Sequence, residues 1–255
     1  IRDATGLAGA VADIDAELVF HLAAQPLVRE SYLDPRGTFD TNVTGTMNVL
    51  EALASAPSTR GAVIITTDKV YRNVGRLAGY TEDDALGGDD PYSASKAMAD
   101  ILTQSWARSF PGVPTAIARA GNVIGGGDVS NGRLLVDLIN GFATSSPVSI
   151  RYPDAVRPWQ HVLDCLSGYL TLAEALLNGT GGGDHPHEAA LLTLDSSKAQ
   201  RELGWRNELA FPRGLEWTLD WYRNVLDGSN PRTETSAQIA RFAALNPEAS
   251  WQRGF

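Results

Sequence analysis

Cysteine is nearly absent from the sequence, since Cys165 is the only one among 255 residues. A single thiol cannot form an intramolecular disulfide, so a disulfide-stabilised secreted fold is excluded. The composition favours a reducing compartment, and a lone cysteine there usually packs as a small hydrophobic residue. We therefore expect Cys165 to be structural and the protein to be cytoplasmic.

Basic residues are also scarce, with 21 Lys and Arg against 30 Asp and Glu and a formal net charge of -9. Long-range attraction to nucleic acid or to an anionic membrane surface is therefore not expected. No apolar run approaches the roughly 20 residues that a membrane-spanning helix requires. With 43% hydrophobic residues, the chain is expected to be a globular protein with one sizeable core.

Three short apolar runs, at residues 16–24, 61–67 and 114–125, predict buried strands. Continuous apolar runs fit strands that are covered on both faces, as in a parallel sheet. Helix-length amphipathic stretches separate the three runs. This alternation is typical of right-handed crossovers in a doubly wound α/β fold. From about Arg133 the pattern loosens, which predicts a smaller C-terminal lobe.

The second apolar run ends in a hydroxyl, a carboxylate and an ammonium on consecutive residues, Thr67, Asp68 and Lys69. One interpretation is a strand that has reached the surface and continues into solvated residues. The other is the edge of an active site, because ligands bind in the crevice beyond the carboxyl ends of parallel strands.

Tyr92 and Lys96 stand four residues apart near the start of a predicted helix, so their side chains share one face. An ammonium beside a phenol stabilises the phenolate, and we expect it to lower the pKa of Tyr92 toward neutrality. The spacing alone also fits an exposed surface pair. Because Thr67 ends the preceding strand, however, Thr67, Tyr92 and Lys96 are expected to converge on one substrate hydroxyl.

Seven stretches together resemble the extended short-chain dehydrogenase/reductase family, and within it the CDP-glucose 4,6-dehydratases. They are HLAAQPLVRESY, TNVTGTMNVLEA, TTDKVY, DPYSASKAMAD, RAGNVIGGGD, RPWQHVLDCLSGYL and HPHEAALLTLDSSKAQRELGW. The resemblance implies a Rossmann-like NAD-binding domain over residues 1–130 and a mainly substrate-binding lobe over residues 131–255. It also implies NAD as cofactor, CDP-glucose as substrate, and a homodimer or higher homo-oligomer.

The resemblance implies a lyase and assigns catalytic roles to five polar residues of this sequence. Tyr92 removes the proton of the sugar 4-hydroxyl as hydride passes from carbon 4 to NAD, while Thr67 holds that hydroxyl and Lys96 holds the cofactor ribose. Asp68 and Lys69 then act as acid and base in the loss of water; related dTDP-sugar dehydratases carry Glu in place of Lys69. A lysine desolvated in a closed site can become neutral and accept a proton.

Binding residues follow from the same resemblance. Besides Tyr92 and Lys96, the expected cofactor contacts are Leu22, Ala23, Ala24, Asn42 and Thr66. The expected contacts to the substrate diphosphate are Asn122, Arg133 and Arg157, because the arginine fork matches phosphate oxygens. His161 and Trp159 are expected to form the wall of the substrate site. Each position alone also fits strand packing, a helix cap or a solvated surface charge.

Two features depart from the family pattern. The chain has no Gly-x-x-Gly-x-x-Gly turn for the cofactor pyrophosphate, so we expect a preceding segment of roughly 60 residues, about two strand-helix units. The family usually carries a further strand of the substrate lobe before HPHE, so we expect a second break, with residues missing, around residues 179–183. The histidines and carboxylates of DHPHE, residues 184–188, are poorly spaced for zinc, and no metal site is expected.

Two alternatives remain open from the sequence. A nucleotide-sugar epimerase of the same fold would need the Tyr and Lys but no acid/base pair for loss of water. A non-catalytic remnant could bind a nucleotide or a partner protein, although it would have no reason to retain an ionisable cluster.

Overall fold

The computed structural model describes residues 1–249 apart from residues 77, 111, 131, 151 and 180–193, together with residue 252. The first part contains α1 (Ala4–Ile14), β1 (Leu18–His21), α2 (Val28–Leu33), α3 (Pro35–Phe39), a π-helical turn (Asp40–Thr44), α4 (Gly45–Leu53), β2 (Gly61–Ile65), a 3₁₀ turn (Asp68–Val70), α5 (Pro91–Ser109) and β3 (Thr115–Ala118). The second part contains β4 (Asn122–Ile124), α6 (Leu134–Ala143), β5 (Trp159–His161), α7 (Val162–Leu177), α8 (Ser197–Leu203), α9 (Phe211–Leu226) and α10 (Pro231–Ala243).

The main sheet has the order β1-β2-β3, and all of its pairings are parallel. Its register places Ala62 of the central strand between Val19 and Thr115. Helices connect the strands, as parallel pairing requires. The predicted parallel α/β fold is therefore confirmed.

Both faces of this sheet are covered by helices. On one face Ala62 packs with Val49 and Leu53 of α4. On the other face Val63 packs with Ala173 and Leu176 of α7. Successive side chains of a strand point to opposite faces, which explains why β2 reads as a continuous apolar run. Helix α7 thus belongs to the sheet layers, although it lies within the range predicted to be mainly substrate lobe.

The third apolar run, residues 114–125, does not form the single strand that was expected. It divides into β3, in the main sheet, and β4, which pairs in parallel with β5 in a second sheet of two strands. The break falls at Arg119, whose side chain turns inward to a buried carboxylate, and at Gly121, where an added Cβ would lie 2.3 Å from the carbonyl oxygen of Pro158.

The C-terminal helices close over the second sheet. Trp217 of α9 is fully buried in a cluster with Leu209 and Phe242, and α9 also contacts β5. Cys165 on α7 is a buried free thiol, as expected. Among the described residues, no helix is both long and apolar enough to span a membrane.

Candidate active site

The carboxyl end of β2 forms the centre of the site. Beyond the strand, the backbone N–H of Asp68 donates to the carbonyl of Ala120 at 2.9 Å, so the chain keeps its alignment with the segment after β3. Thr67 is extended and caps the 3₁₀ turn, accepting a long bond from the N–H of Lys69 at 3.4 Å. This turn directs the side chains of three consecutive residues to one edge of the sheet.

Helix α5 places Tyr92 and Lys96 beside this edge. Asp90 caps the helix by accepting from the N–H of Ser93 at 2.9 Å, and Pro91 occupies the first turn, where its missing N–H costs nothing. The two side chains are buried, with 8% of Tyr92 and 5% of Lys96 exposed. Tyr92 is hydrogen-bonded to Thr67, and Lys96 to the carbonyl of Ile65, so both side chains lie against the end of β2. An exposed surface pair is therefore excluded.

The electrostatics of this pair differ from the expectation. Burial raises the pKa of Tyr92 to about 12, while its hydrogen bond with Thr67 and the charge of Arg133 act in the opposite direction. Lys96 donates to the carbonyl of Ile65 at 2.9 Å, and it is not the group that acts on the phenol. The expected lowering of the Tyr92 pKa by Lys96 is therefore wrong for this structure. Burial lowers the pKa of Lys96 itself to about 8, against the attraction of Asp100.

Asp68 and Lys69 form an ion pair at the edge of the site. Oδ1 of Asp68 accepts from Thr67 Oγ1 at 2.8 Å and from Lys69 Nζ at 3.3 Å. The other carboxylate oxygen, Oδ2, is buried and has no hydrogen-bond partner among the described residues. Buried polar atoms are normally paired, so an orphaned oxygen beside Tyr92 fits a ligand that would supply its partner.

Two of the four predicted substrate residues join this cluster. Asn122 begins β4, and its side-chain oxygen accepts from Lys69 Nζ at 3.3 Å. Arg133 lies just before α6 and bonds Asp128 at 2.9 Å, with 41% of its side chain exposed. Its charge is close enough to Tyr92 to favour the phenolate. An exposed guanidinium at the mouth of the site is suited to an anionic ligand.

The other two predicted substrate residues are placed differently. His161 is 2% exposed, and its Nδ1 accepts from the N–H of Leu163 at 3.3 Å, capping α7. Its ring packs edge-on against Trp217, which favours a structural role. Arg157 donates to the neighbouring carbonyl of Val156 at 2.7 Å. Trp159 stacks on the ring of Phe211, with centroids 6.3 Å apart, as a wall residue would.

The residues after β1 fit the predicted cofactor surface only in part. Leu22 is 51% exposed and Ala23 is exposed, so a bulky ligand could contact this strand end without displacing side chains. Ala24 is half-buried. Asn42 is buried, and its amide is already bonded to Gln25 N at 2.8 Å and Ser95 Oγ at 2.9 Å. Asn42 therefore holds the loop after β1 against α5.

A buried ion pair below the site was not identified from the sequence. Asp100 accepts two bonds of 2.8 Å from Arg119 and one of 3.0 Å from Thr66 Oγ1. Arg119 also donates to the hydroxyl of Tyr71 at 3.1 Å. Thr66, predicted as a cofactor contact, is thus turned toward this network. The available signal was helical spacing, since Asp100 lies one turn beyond Lys96 on α5.

His21, at the end of β1, was also missed. Its Nε2 lies 2.9 Å from Thr46 Oγ1, and the ring is buried. Burial, with the charge of Lys96, lowers the pKa of His21 to about 4. The ring is therefore neutral near pH 7. The DHPHE stretch lies outside the described residues, and within them no group of three or more His, Cys, Asp or Glu could hold a metal ion.

Comparison with known families and sequences gives consistent results. The profile of the NAD dependent epimerase/dehydratase family matches residues 1–184. The CDP-glucose 4,6-dehydratase of Salmonella typhimurium is 36% identical over 276 residues, covering 90% of this chain and 77% of the relative. The dTDP-glucose 4,6-dehydratase of Shigella flexneri is 26% identical, covering 87% of this chain and 76% of the relative.

Solved structures agree with the sequence relatives. The dTDP-glucose 4,6-dehydratase DesIV from Streptomyces venezuelae, in a structure that contains NAD, gives a TM-score of 0.74 at 26% identity, covering 88% of this chain and 77% of that one. The UDP-glucuronic acid 4-epimerase of Bacillus cereus gives a TM-score of 0.71 at 22% identity, covering 86% and 78%. At that identity the second likeness shows the fold alone.

Proposed function

The chain belongs to the NAD dependent epimerase/dehydratase family, and we propose that it is a nucleotide-sugar 4,6-dehydratase that converts CDP-glucose to CDP-4-keto-6-deoxyglucose. The observation that carries the proposal is the Asp68-Lys69 pair, 3.3 Å apart, beside the buried Tyr92. The same pair occurs in a stretch that resembles the CDP-glucose enzymes, and the 36% identical relative carries that name.

The cofactor proposed for this site is NAD. The exposed Leu22 and Ala23, with Ala24 beyond them, would lie against the dinucleotide, and Lys96 would reach its ribose in place of the Ile65 carbonyl. When bound, NAD accepts the hydride of carbon 4 and later supplies the hydride that carbon 6 receives. The protein groups supply binding, orientation and proton transfer.

Oxidation at carbon 4 requires a base, and Tyr92 is placed for it. Its hydroxyl is bonded to Thr67, and Arg133 adds a positive charge; both favour the phenolate that takes the proton of the sugar 4-hydroxyl. Burial opposes ionisation, so these neighbours are needed. Once the 4-ketone has formed, the hydrogen on carbon 5 becomes acidic.

Loss of water then uses the second pair. The lone pair of Lys69 takes the proton from carbon 5, and the electrons of that C–H bond form the double bond between carbons 5 and 6. The bond between carbon 6 and oxygen breaks as Asp68 donates a proton to the departing hydroxyl, which leaves as water. The buried Oδ2 of Asp68, without a protein partner among the described residues, is the oxygen available to carry that proton.

The protons balance through Thr67. As carbon 6 receives hydride, Lys69 returns its proton to carbon 5. One turnover therefore leaves Tyr92 with a proton gained and Asp68 with a proton lost, because the 4-ketone is not reduced again. Thr67 is hydrogen-bonded to Tyr92 and donates to Asp68 at 2.8 Å, so it is placed to pass one proton between them. An epimerase returns hydride to the ketone and needs neither this transfer nor the acid/base pair.

The proposed assembly is a homodimer formed through α4 and α5, which pack side by side. Met47, Met98 and Ile101 are 37%, 48% and 53% exposed on these helices. Adjacent exposed apolar residues on paired helices suit an isologous contact with a second copy.

The test is incubation of the protein and NAD with CDP-, dTDP- or UDP-glucose, followed by mass spectrometry and NMR of the sugar. The expected result is loss of one water, with CDP-glucose turned over most efficiently. Equal rates with all three nucleotides would contradict the CDP specificity. An isomer of unchanged mass would indicate an epimerase, and nucleotide binding without turnover would indicate a non-catalytic protein.

A further inference from the structure

The amine of Lys69 lies between two fixed oxygen acceptors. Asp68 Oδ1 and Asn122 Oδ1 are each 3.3 Å from Nζ. Both residues are anchored through the backbone, since the N–H of Asp68 donates to Ala120 and the N–H of Asn122 donates to Pro158, each at 2.9 Å. The main chain of both residues is therefore held in place, and Oδ1 of Asp68 is held further by its bond from Thr67 Oγ1 at 2.8 Å.

We propose that Asn122 is a positioning residue for Lys69: Asn122 and Asp68 occupy the two N–H bonds of the neutral amine and thereby direct its lone pair at carbon 5 of the sugar. A neutral amine has two N–H donors and one lone pair, whereas the ammonium form has three donors and no lone pair. When the proton of the ion pair resides on Oδ2 of Asp68, as the proposed loss of water requires, Oδ1 remains an uncharged acceptor. Two uncharged acceptors then match the two donors of the neutral amine that a base requires. The inference rests on the proposed function, because it explains how Lys69 could act as the base in water loss.

The orientation of the Asn122 amide follows from the same contact. In this contact Lys69 donates through N–H, so the oxygen end of the Asn122 amide faces it. The amide nitrogen then points elsewhere, and no partner for it lies within the described residues. It remains free to donate to a substrate phosphate, so the sequence-based role and the positioning role are compatible.

Replacing Asn122 by Asp gives the sharpest variant, because the two side chains have nearly the same shape. The new carboxylate would hold Lys69 as the ammonium, which has no lone pair for carbon 5. An opposite charge within hydrogen-bond reach typically favours the charged form by about ten-fold or more. Asn122→Ala instead removes one acceptor and leaves the lone pair undirected.

The sequence permits a direct readout without substrate or cofactor, because the chain contains only three lysines, Lys69, Lys96 and Lys198. An amine-acylating reagent reacts with the unprotonated amine, and peptide mass spectrometry reports each site. The expected result for N122D is labelling of Lys69 slowed about ten-fold, with Lys198 on α8 unchanged as internal reference. Labelling of Lys69 at the unsubstituted rate would overturn the proposal, whether or not the protein is a dehydratase.

A second measurement separates positioning from phosphate binding. CDP affinity measured by calorimetry should fall less in N122A than in Arg133→Ala, the matched control, because N122A removes at most one neutral donor to the phosphate whereas R133A removes a positive charge. With CDP-glucose as substrate, N122A and N122D should lower kcat rather than raise KM. The pH-rate profile of N122D should move to higher pH. If N122A weakens CDP binding as much as R133A while Lys69 labelling stays unchanged, Asn122 serves the phosphate alone and the proposal fails. Should N122D not fold, Asn122→Ser carries the labelling test.

Discussion

Lys69 Nζ lies 3.3 Å from Asp68 Oδ1, and the two partners differ in exposure: the carboxylate is fully buried, whereas 30% of the lysine side chain is exposed. A buried charge is costly unless it is paired, so Lys69 compensates Asp68 from the solvent side. The pair therefore lies across the boundary between the core and the crevice. That is the placement a proton donor and acceptor for a bound sugar would need.

Substitution of Lys69 by Met should stop the reaction after oxidation. The base for carbon 5 is removed while Tyr92 and Thr67 are kept, so reduced nicotinamide should accumulate on mixing with CDP-glucose, without release of water. Acid/base groups typically supply about a hundred- to ten-thousand-fold in rate, and turnover should fall by that order. Absorbance of the bound nicotinamide and mass spectrometry of the sugar provide the two readouts. Near-normal turnover would mean that Lys69 is a surface charge at a strand end.

Substitution of Tyr92 by Phe should fail at the earlier stage. Without the phenol the 4-hydroxyl keeps its proton, so the nicotinamide should stay oxidised while turnover falls by about a hundred-fold or more. The ring is buried and keeps its packing, so CDP binding should persist. Accumulation of reduced nicotinamide in Y92F would assign the first base to another residue. The contrast with K69M distinguishes the two stages.

The buried pair of Asp100 and Arg119 should matter for stability. Asp100→Asn leaves the Arg119 guanidinium, 8% exposed, without its bidentate partner. Removing one member of a buried pair typically costs about 3–5 kcal/mol of the free energy of unfolding, measurable by urea denaturation. The control is Arg36→Gln, whose pair with Asp40 is exposed on α3 and should cost less than about 0.5 kcal/mol. If both variants lowered the free energy of unfolding equally, the buried pair would not contribute more to stability than an exposed one.

Much of the fold could be predicted because local pattern determined it. Strand β2 (Gly61–Ile65) lies within the continuous apolar run at residues 61–67 that predicted a buried strand. The run at residues 114–125 could not be divided correctly, because its break depends on Arg119 finding Asp100 on another element. That pairing is tertiary, and no local propensity encodes it.

The site was predictable to the extent that neighbouring residues on one element define it. Thr67, Asp68 and Lys69 are consecutive, and Tyr92 and Lys96 share a helix face. Spacing, together with the position of Thr67 at the end of a strand and the family resemblance, therefore grouped these five residues. The contact between Asn122 and Lys69 joins two different elements and was not foreseen. His161 resembled a site residue by motif, but its burial and its capping of α7 depend on packing against α9.

Acid should destabilise the protein through two buried histidines. Burial lowers the pKa values of His21 and His161 from 6.5 to about 4, so below about pH 6.5 the unfolded chain takes up protons that the folded protein does not. The free energy of unfolding should then fall as pH drops toward 4. Asp164 acts in the opposite sense, since burial raises its pKa to about 6, and the net loss between pH 7 and 5 should be on the order of 2 kcal/mol.

The check on this prediction is urea denaturation at pH 7 and pH 5 for the unsubstituted protein and two variants. His21→Gln removes one titrating ring, and His161→Asn removes the other while keeping an acceptor that can cap α7. Each variant should lose less stability on acidification. A pH dependence unchanged in both variants would assign the effect to other groups.

The proposed homodimer should depend on the exposed apolar residues of α5. Ile101→Glu places a charge opposite its own copy if an isologous contact runs along this helix, and burying that charge unpaired would oppose association. Sedimentation at micromolar concentration should then show dimer for the unsubstituted protein and monomer for I101E. Leu226→Glu is the matched control, since Leu226 is 66% exposed on α9, away from α4 and α5, and should stay dimeric. A monomer in every sample would exclude the dimer. Dissociation by L226E but not by I101E would place the contact elsewhere, because only the α5 substitution introduces charge into the proposed interface.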